Sequence, residues 1–128
     1  MIQHARQELP AECCGLLAGR VERTDAWASL YVPLLNAATE PTRRYQADIR
    51  SLLQAHRRIR EAGWYEVAVV HSHPTSPPVP SRVDLAENAY GDAIIHLIIS
   101  LARAIPEVRT WRLRENSFEE VNWQLAAV

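Results

Sequence analysis

Apolar positions change their period several times along this chain, and each change marks an element. Ile2, Ala5 and Leu9 recur at helical spacing, which predicts a short helix over 2–9 that Pro10 ends. The next run, "CCGLLAGRV" at 13–21, is small and apolar and predicts a buried strand broken by Gly19. "WASLYVPL" at 27–34 alternates, predicting a second strand limited by Pro33. "NAATEPTRRYQAD" has the chemistry of turns and predicts a loop. Asp48 then caps a helix over 48–61, with Ile49, Leu52, Leu53, His56 and Ile59 on one face and Gly63 as its stop. "WYEVAVVHSH" at 64–73 is β-branched and apolar and predicts a central strand. A helix over 82–90 follows, then a buried strand in "AIIHLIISL" (93–101), an alternating one in "VRTWRLRE" (108–115) and a last strand in "FEEVNWQLA" (118–126). Helices interleaved with apolar strands predict a layered α/β or α+β domain.

Length and composition narrow this picture slightly. With 128 residues the prior is one domain over 1–128, long enough to bury a core without staples. A net charge of −1 gives no sign of nucleic acid or an anionic membrane as partner. The local basic clusters at 43–44 and 56–60 read as a solvated helix face. No apolar run approaches the roughly 20 residues of a membrane span, and no signal peptide opens the chain. The two cysteines, Cys13 and Cys14, are adjacent and form no disulfide framework, so we expect reduced, buried thiols in a cytoplasmic protein.

Candidate chemistry concentrates in "VVHSHPTSPPVPSRVD" from Val69 to Asp84. Residues i and i+2 of a strand share a face, so His71 and His73 present two imidazoles together and Ser72 points away. Paired neutral imidazoles are good ligands for zinc, although two ordinary strand histidines fit the same pattern. The loop "PTSPPVP" is stiff because it is rich in proline. "SRVD" reads as a capping box, with Ser81 as cap and Asp84 reaching back to the backbone. The same geometry aims Asp84 towards the histidines. Two nitrogens and one oxygen, with a position left for water, is the pattern of a catalytic zinc. A general base would assist, and on chemistry alone Glu12, Glu66, Glu87 and Asp92 all qualify.

The spaced combination of His71, Ser72 and His73, seven residues, Ser81, two residues and Asp84 resembles the JAMM motif of the MPN+ zinc metalloproteases. "LPAECCGLLAG" resembles the upstream segment of their small prokaryotic branch, and "N…PTRRY…D" and "AIIHLIISL…VRTWRL" are also similar to it. The resemblance implies that His71, His73 and Asp84 hold one Zn2+. It implies Glu12 as the base that takes a proton from the attacking water and passes it to the leaving amine, and Ser81 as an oxyanion donor. It implies a mixed β-sheet flanked by helices, with a cytidine-deaminase-like architecture. It implies hydrolysis of the peptide or isopeptide bond after the C-terminal Gly-Gly of a ubiquitin-like or sulfur-carrier protein. A homodimer stays open.

Two other classes compete. Zinc deaminases use His-x-Glu with Pro-Cys-x-x-Cys, and neither occurs here. MPN domains without the ligands serve as binding or assembly modules, whereas this chain keeps each ligand and the glutamate. His4, His56 and His96 fall outside the motif, and His96 is expected to be a satisfied core or edge residue. The tryptophans at 27, 64, 111 and 123 are expected in core and interface.

Overall fold

A computed structural model describes residues 1–126, so the last two positions of the domain expected over 1–128 lie outside the described residues. Three helices, α1 (Ile2–Gln7), α2 (Ile49–Glu61) and α3 (Arg82–Ala86), accompany six strands. These are β1 (Cys14–Glu22), β2 (Asp25–Leu34), β3 (Tyr65–His73), β4 (Ile95–Ser100), β5 (Glu107–Leu113) and β6 (Phe118–Val121). One sheet holds all six in the order β2-β1-β3-β4-β5-β6. β3 and β4 run parallel and the other neighbours antiparallel, so the sheet is mixed, as the resemblance implied.

Register decides what each face carries. His71 lies opposite Cys14 on β1 and Ile98 on β4, while Val69 lies opposite Leu16 and His96. These side chains therefore share one face. α2 covers part of it: Ala55 and Ile59 pack with Cys14, Leu16, Val32, Leu34 and Val69. Leu85 of α3 and Val79 pack farther along, against Ile98, Trp111 and Leu113. α1 covers the opposite face through Ala5, which meets Cys13, Val70, Leu97 and Ile99. Adjacent cysteines thus serve two different cores. Both are free and buried, and burial raises both thiols, Cys14 to about 12, the opposite of what a reactive thiol needs.

Several elements differ from the sequence reading, each for a visible reason. Asp48 does cap α2, accepting from the Ser51 N–H, and Gly63 at φ +75° closes its end, with the Trp64 N–H returning to the Ile59 carbonyl. The buried stripe is Leu52, Ala55 and Ile59, however, and Ile49 and Leu53 stand out in solvent. The single methyl of Ala55 lets this stripe, and not its neighbour, approach the sheet. α3 stops at Ala86 because Asn88 folds back on its own turn, accepting from the Tyr90 N–H and donating to the Gly91 carbonyl. β6 ends at Val121, beyond which the Trp123 indole donates to the Val108 carbonyl. Trp27 and Trp123 are exposed, so only Trp64 and Trp111 of the four serve the core.

His96 is the sharpest correction. It is buried as expected, but neither ring nitrogen has a partner among the described residues. Burial lowers its pKa from 6.5 to about 4. The unfolded chain therefore binds a proton between these values that the folded chain does not. Stability is fully present above pH 6.5 and is lost as pH falls towards 4, by about 3 kcal/mol from this group. His96→Leu should flatten that dependence. Thermal melts in chelator at pH 4.5 and 6.5 test this, and parallel curves for both proteins would refute it.

Candidate metal centre

The site forms where the C-terminal end of β3 meets the first turn of α3. Alternation in β3 places His71 and His73 side by side, with their Nε2 atoms 3.2 Å apart. Ser81 is the N-cap of α3 and accepts from the Asp84 N–H at 3.1 Å. Asp84 Oδ2 accepts from the Ser81 N–H at 2.8 Å, completing the capping box. The same carboxylate spans both imidazoles, with Oδ1 3.2 Å from His71 Nε2 and Oδ2 3.1 Å from His73 Nε2. The cap and the convergent cluster are thus one arrangement and not alternatives.

Glu12 enters from a different part of the chain, two residues before β1. Its side chain reaches the histidine pair, with Glu12, His71 and His73 offering ligand atoms within 4.8 Å of one another. Its N–H donates to the Pro41 carbonyl and its own carbonyl accepts from Asn36 Nδ2. Ser72, facing away from the histidines, fixes the next residue: Ser72 Oγ accepts from the Cys13 N–H at 2.7 Å, and the Cys13 carbonyl accepts from the Ser72 N–H. The three other acids weighed from sequence are held in pairs of their own. Glu66 pairs with His56, Glu87 with Arg44 and Asp92 with Arg114.

Two further residues support the site; the sequence reading noted their segment only as part of the resemblance and gave neither a role. Tyr45 stacks on His71, with ring centroids 4.7 Å apart. Asn36 gathers the loop that carries Tyr45, donating to the carbonyls of Glu12 and Arg44 and accepting from the N–H groups of Ala38 and Gln46. A loop asparagine followed by an aromatic in "PTRRY" was the only available signal.

Electrostatics separate the two carboxylates. Burial pushes Glu12 up to about 7, against a smaller opposing pull from His73, and its Oε1 has no hydrogen-bond partner. Burial would also raise Asp84, but hydrogen bonds from His71 and His73 outweigh it and hold the carboxyl well below the usual range. Burial alone would lower His73, yet its bonds to Asp84 and Pro77 raise it.

This donor set fits a cation. The Pro77 carbonyl, 2.7 Å from His73 Nδ1, can only accept, so Nδ1 carries hydrogen. His73 Nε2 then either shares a proton with Asp84 or offers a lone pair. Two imidazole nitrogens and a carboxylate, facing one another in a buried place, need a positive charge between them. Tetrahedral zinc with bonds of about 2.0–2.1 Å sets its ligand atoms about 3.3–3.4 Å apart. The two Nε2 atoms, 3.2 Å apart, are close to that spacing, and Asp84 sets one carboxylate oxygen near each of them.

Comparison with known proteins gives the same lineage. The chain is 32% identical over 120 residues to the CysO-cysteine peptidase of Mycobacterium tuberculosis, covering 94% of this chain and 80% of that protein. It is 36% identical over 104 residues to the desampylase of Haloferax volcanii, covering 78% and 73%. Among solved structures, protein DSY2949 of Desulfitobacterium hafniense superposes with a TM-score of 0.85 at 36% identity, covering 94% of this chain and 82% of that one. The family described as prokaryotic homologs of the JAB domain matches residues 1–114. With most of its length matched by the family and by a solved structure of the same fold, the chain belongs to the prokaryotic JAB-domain family.

Proposed function

We propose that this protein is a zinc-dependent peptidase that hydrolyses the bond after the C-terminal Gly-Gly of a ubiquitin-like or sulfur-carrier protein. The observation that carries the reading is the convergence of His71, His73 and Asp84 on one point, with the unpartnered Glu12 carboxyl beside it. The names of the relatives, a CysO-cysteine peptidase and a desampylase, support the substrate class.

In this reading His71 Nε2, His73 Nε2 and the Asp84 carboxylate hold one zinc ion. Bound zinc would lower the pKa of water to about 7 and polarise the scissile carbonyl. Glu12 takes the proton of the attacking water on Oε1 and delivers it to the leaving amine, and a carboxyl poised near 7 suits both directions of transfer. Ser81 Oγ accepts from the Asp84 N–H, which leaves its hydroxyl hydrogen to stabilise the oxyanion that develops on the substrate. Tyr45 packs on His71 and keeps its ring in place. One chain supplies all of these groups. A cytoplasmic setting belongs to the same reading and agrees with the two free thiols.

The depth of the site supports a glycine tail. His71 is 0%, His73 4% and Glu12 5% exposed, which favours a slender segment of chain over a bulky one. Residues without side chains meet that condition. A carrier whose penultimate glycine is replaced by leucine should not be cleaved, whereas the same carrier with Gly-Gly should be. Mass spectrometry of the two products reads this directly, and equal turnover would overturn the assignment of the tail.

A further inference from the structure

The loop 74–80 joins His73 to the cap of α3, and its sequence prevents it from holding itself. Pro74, Pro77, Pro78 and Pro80 have no N–H to donate. The Val79 N–H, which bonds the Pro77 carbonyl, is the internal backbone bond the loop makes. Its carbonyls are instead taken by side chains from three neighbouring strands. Ser100 Oγ at the end of β4 donates to the Ser76 carbonyl at 2.6 Å. His73 Nδ1 of β3 donates to the Pro77 carbonyl at 2.7 Å. Trp111 Nε1 of β5 donates to the Pro78 carbonyl at 2.8 Å. Three consecutive carbonyls are gripped from three consecutive strands.

We propose that Ser100 and Trp111 are positioning residues for the metal centre, holding the loop so that the Pro77 carbonyl orients the His73 ring and Asp84 meets both histidines. This rests on the metal centre read above. Ser100 lies beside His73 in the β3–β4 register, but the side-chain donors of Ser100 and Trp111 go to loop carbonyls and not to His71, His73 or Asp84. Each holds a carbonyl adjacent to the one that His73 uses, and the loop leads directly into Ser81 and Asp84. Trp111 is itself immobilised, with Phe118 edge-on at 5.3 Å and the Arg109 guanidinium over its ring at 4.6 Å. Arg109 is held in turn by two bonds to Glu120. Val79 and Leu85 pack against the same tryptophan cluster, so the loop and α3 are seated on one support. A ligand histidine whose second nitrogen loses its fixed partner binds metal less well, commonly by about 10- to 100-fold.

The test uses the full chain with Trp111→Phe, which keeps the ring and removes the donor, and Ser100→Ala. Zinc affinity is measured by competition with a chelator, and the His73 ring nitrogens are followed by NMR in metal-free protein. Both variants should bind zinc about 10- to 100-fold more weakly. The NMR signature of the Nδ1–H form of His73 should weaken in both, which a purely structural role would not cause. Unchanged zinc affinity and an unchanged His73 signature in folded variants would overturn the proposal. If Trp111→Phe does not fold, Ser100→Ala carries the decision. If the wild-type protein binds no zinc, the reading of the metal centre fails, and the metal-free NMR comparison alone decides whether these residues hold His73.

Discussion

Glu12→Gln should leave zinc in the protein and cut turnover by about 100- to 10,000-fold, the usual contribution of a positioned general base. The substitution is nearly isosteric and keeps a polar group in the same buried place, so folding is not expected to suffer. What it removes is the ability to accept a proton. Glu12 suits that role because burial raises its carboxyl to about 7, and because Oε1 has no hydrogen-bond partner to compete for the proton. A drop in kcat with zinc content and KM unchanged is the expected signature. The opposite result is equally informative. Two carboxylates face the histidine pair, and Glu12 lies within ligand-forming reach of both imidazoles. Loss of zinc in Glu12→Gln, with zinc retained in Asp84→Ala, would exchange the two roles.

His73→Ala and Asp84→Ala should instead lose the metal. Structural zinc sites of four ligands bind with about 10–16 kcal/mol, so one ligand is worth about 3 kcal/mol and its loss about 100-fold or more in affinity. Asp84 has the stronger claim to ligation because its two oxygens already sit 3.1 and 3.2 Å from the two Nε2 atoms and because it stays ionised. Native mass spectrometry of the purified proteins gives the answer: one zinc in the wild type and none in either variant. Thermal melts provide a second check, since a ligand that binds only the folded state stabilises it. Added zinc should raise the melting temperature of the wild type and leave His73→Ala unmoved. A wild-type protein without zinc, even after metal is supplied, would make this chain a binding module that carries the residues without the chemistry.

The short-range part of the site was legible in the sequence because it depends on neighbours along the chain. Two histidines at i and i+2 in a β-branched run must share a face, and Ser-x-x-Asp after a stiff loop forms a capping box whichever core lies beneath it. The ordering of helices and strands followed from the same local periodicity. Periodicity could not decide which of two adjacent stripes of α2 would be buried, because that depends on the close approach Ala55 permits to a sheet formed elsewhere. The ends of α3 and β6 escaped it too, since Asn88 and Trp123 redirect the backbone through their side chains.

By itself, then, the sequence determined the fold class, the histidine pair and the cap that aims Asp84. Tertiary structure decided the rest. The resemblance had already pointed to Glu12, and the pairing of β1 with β3 is what brings that residue to the histidines, while Glu66, Glu87 and Asp92 lie in pairs of their own. Tertiary structure also brought Tyr45 onto His71 and set Ser100 and Trp111 under the loop. These contacts join residues many positions apart, and their energy comes from burial and hydrogen bonds that exist only once the sheet has assembled its strands in the order observed.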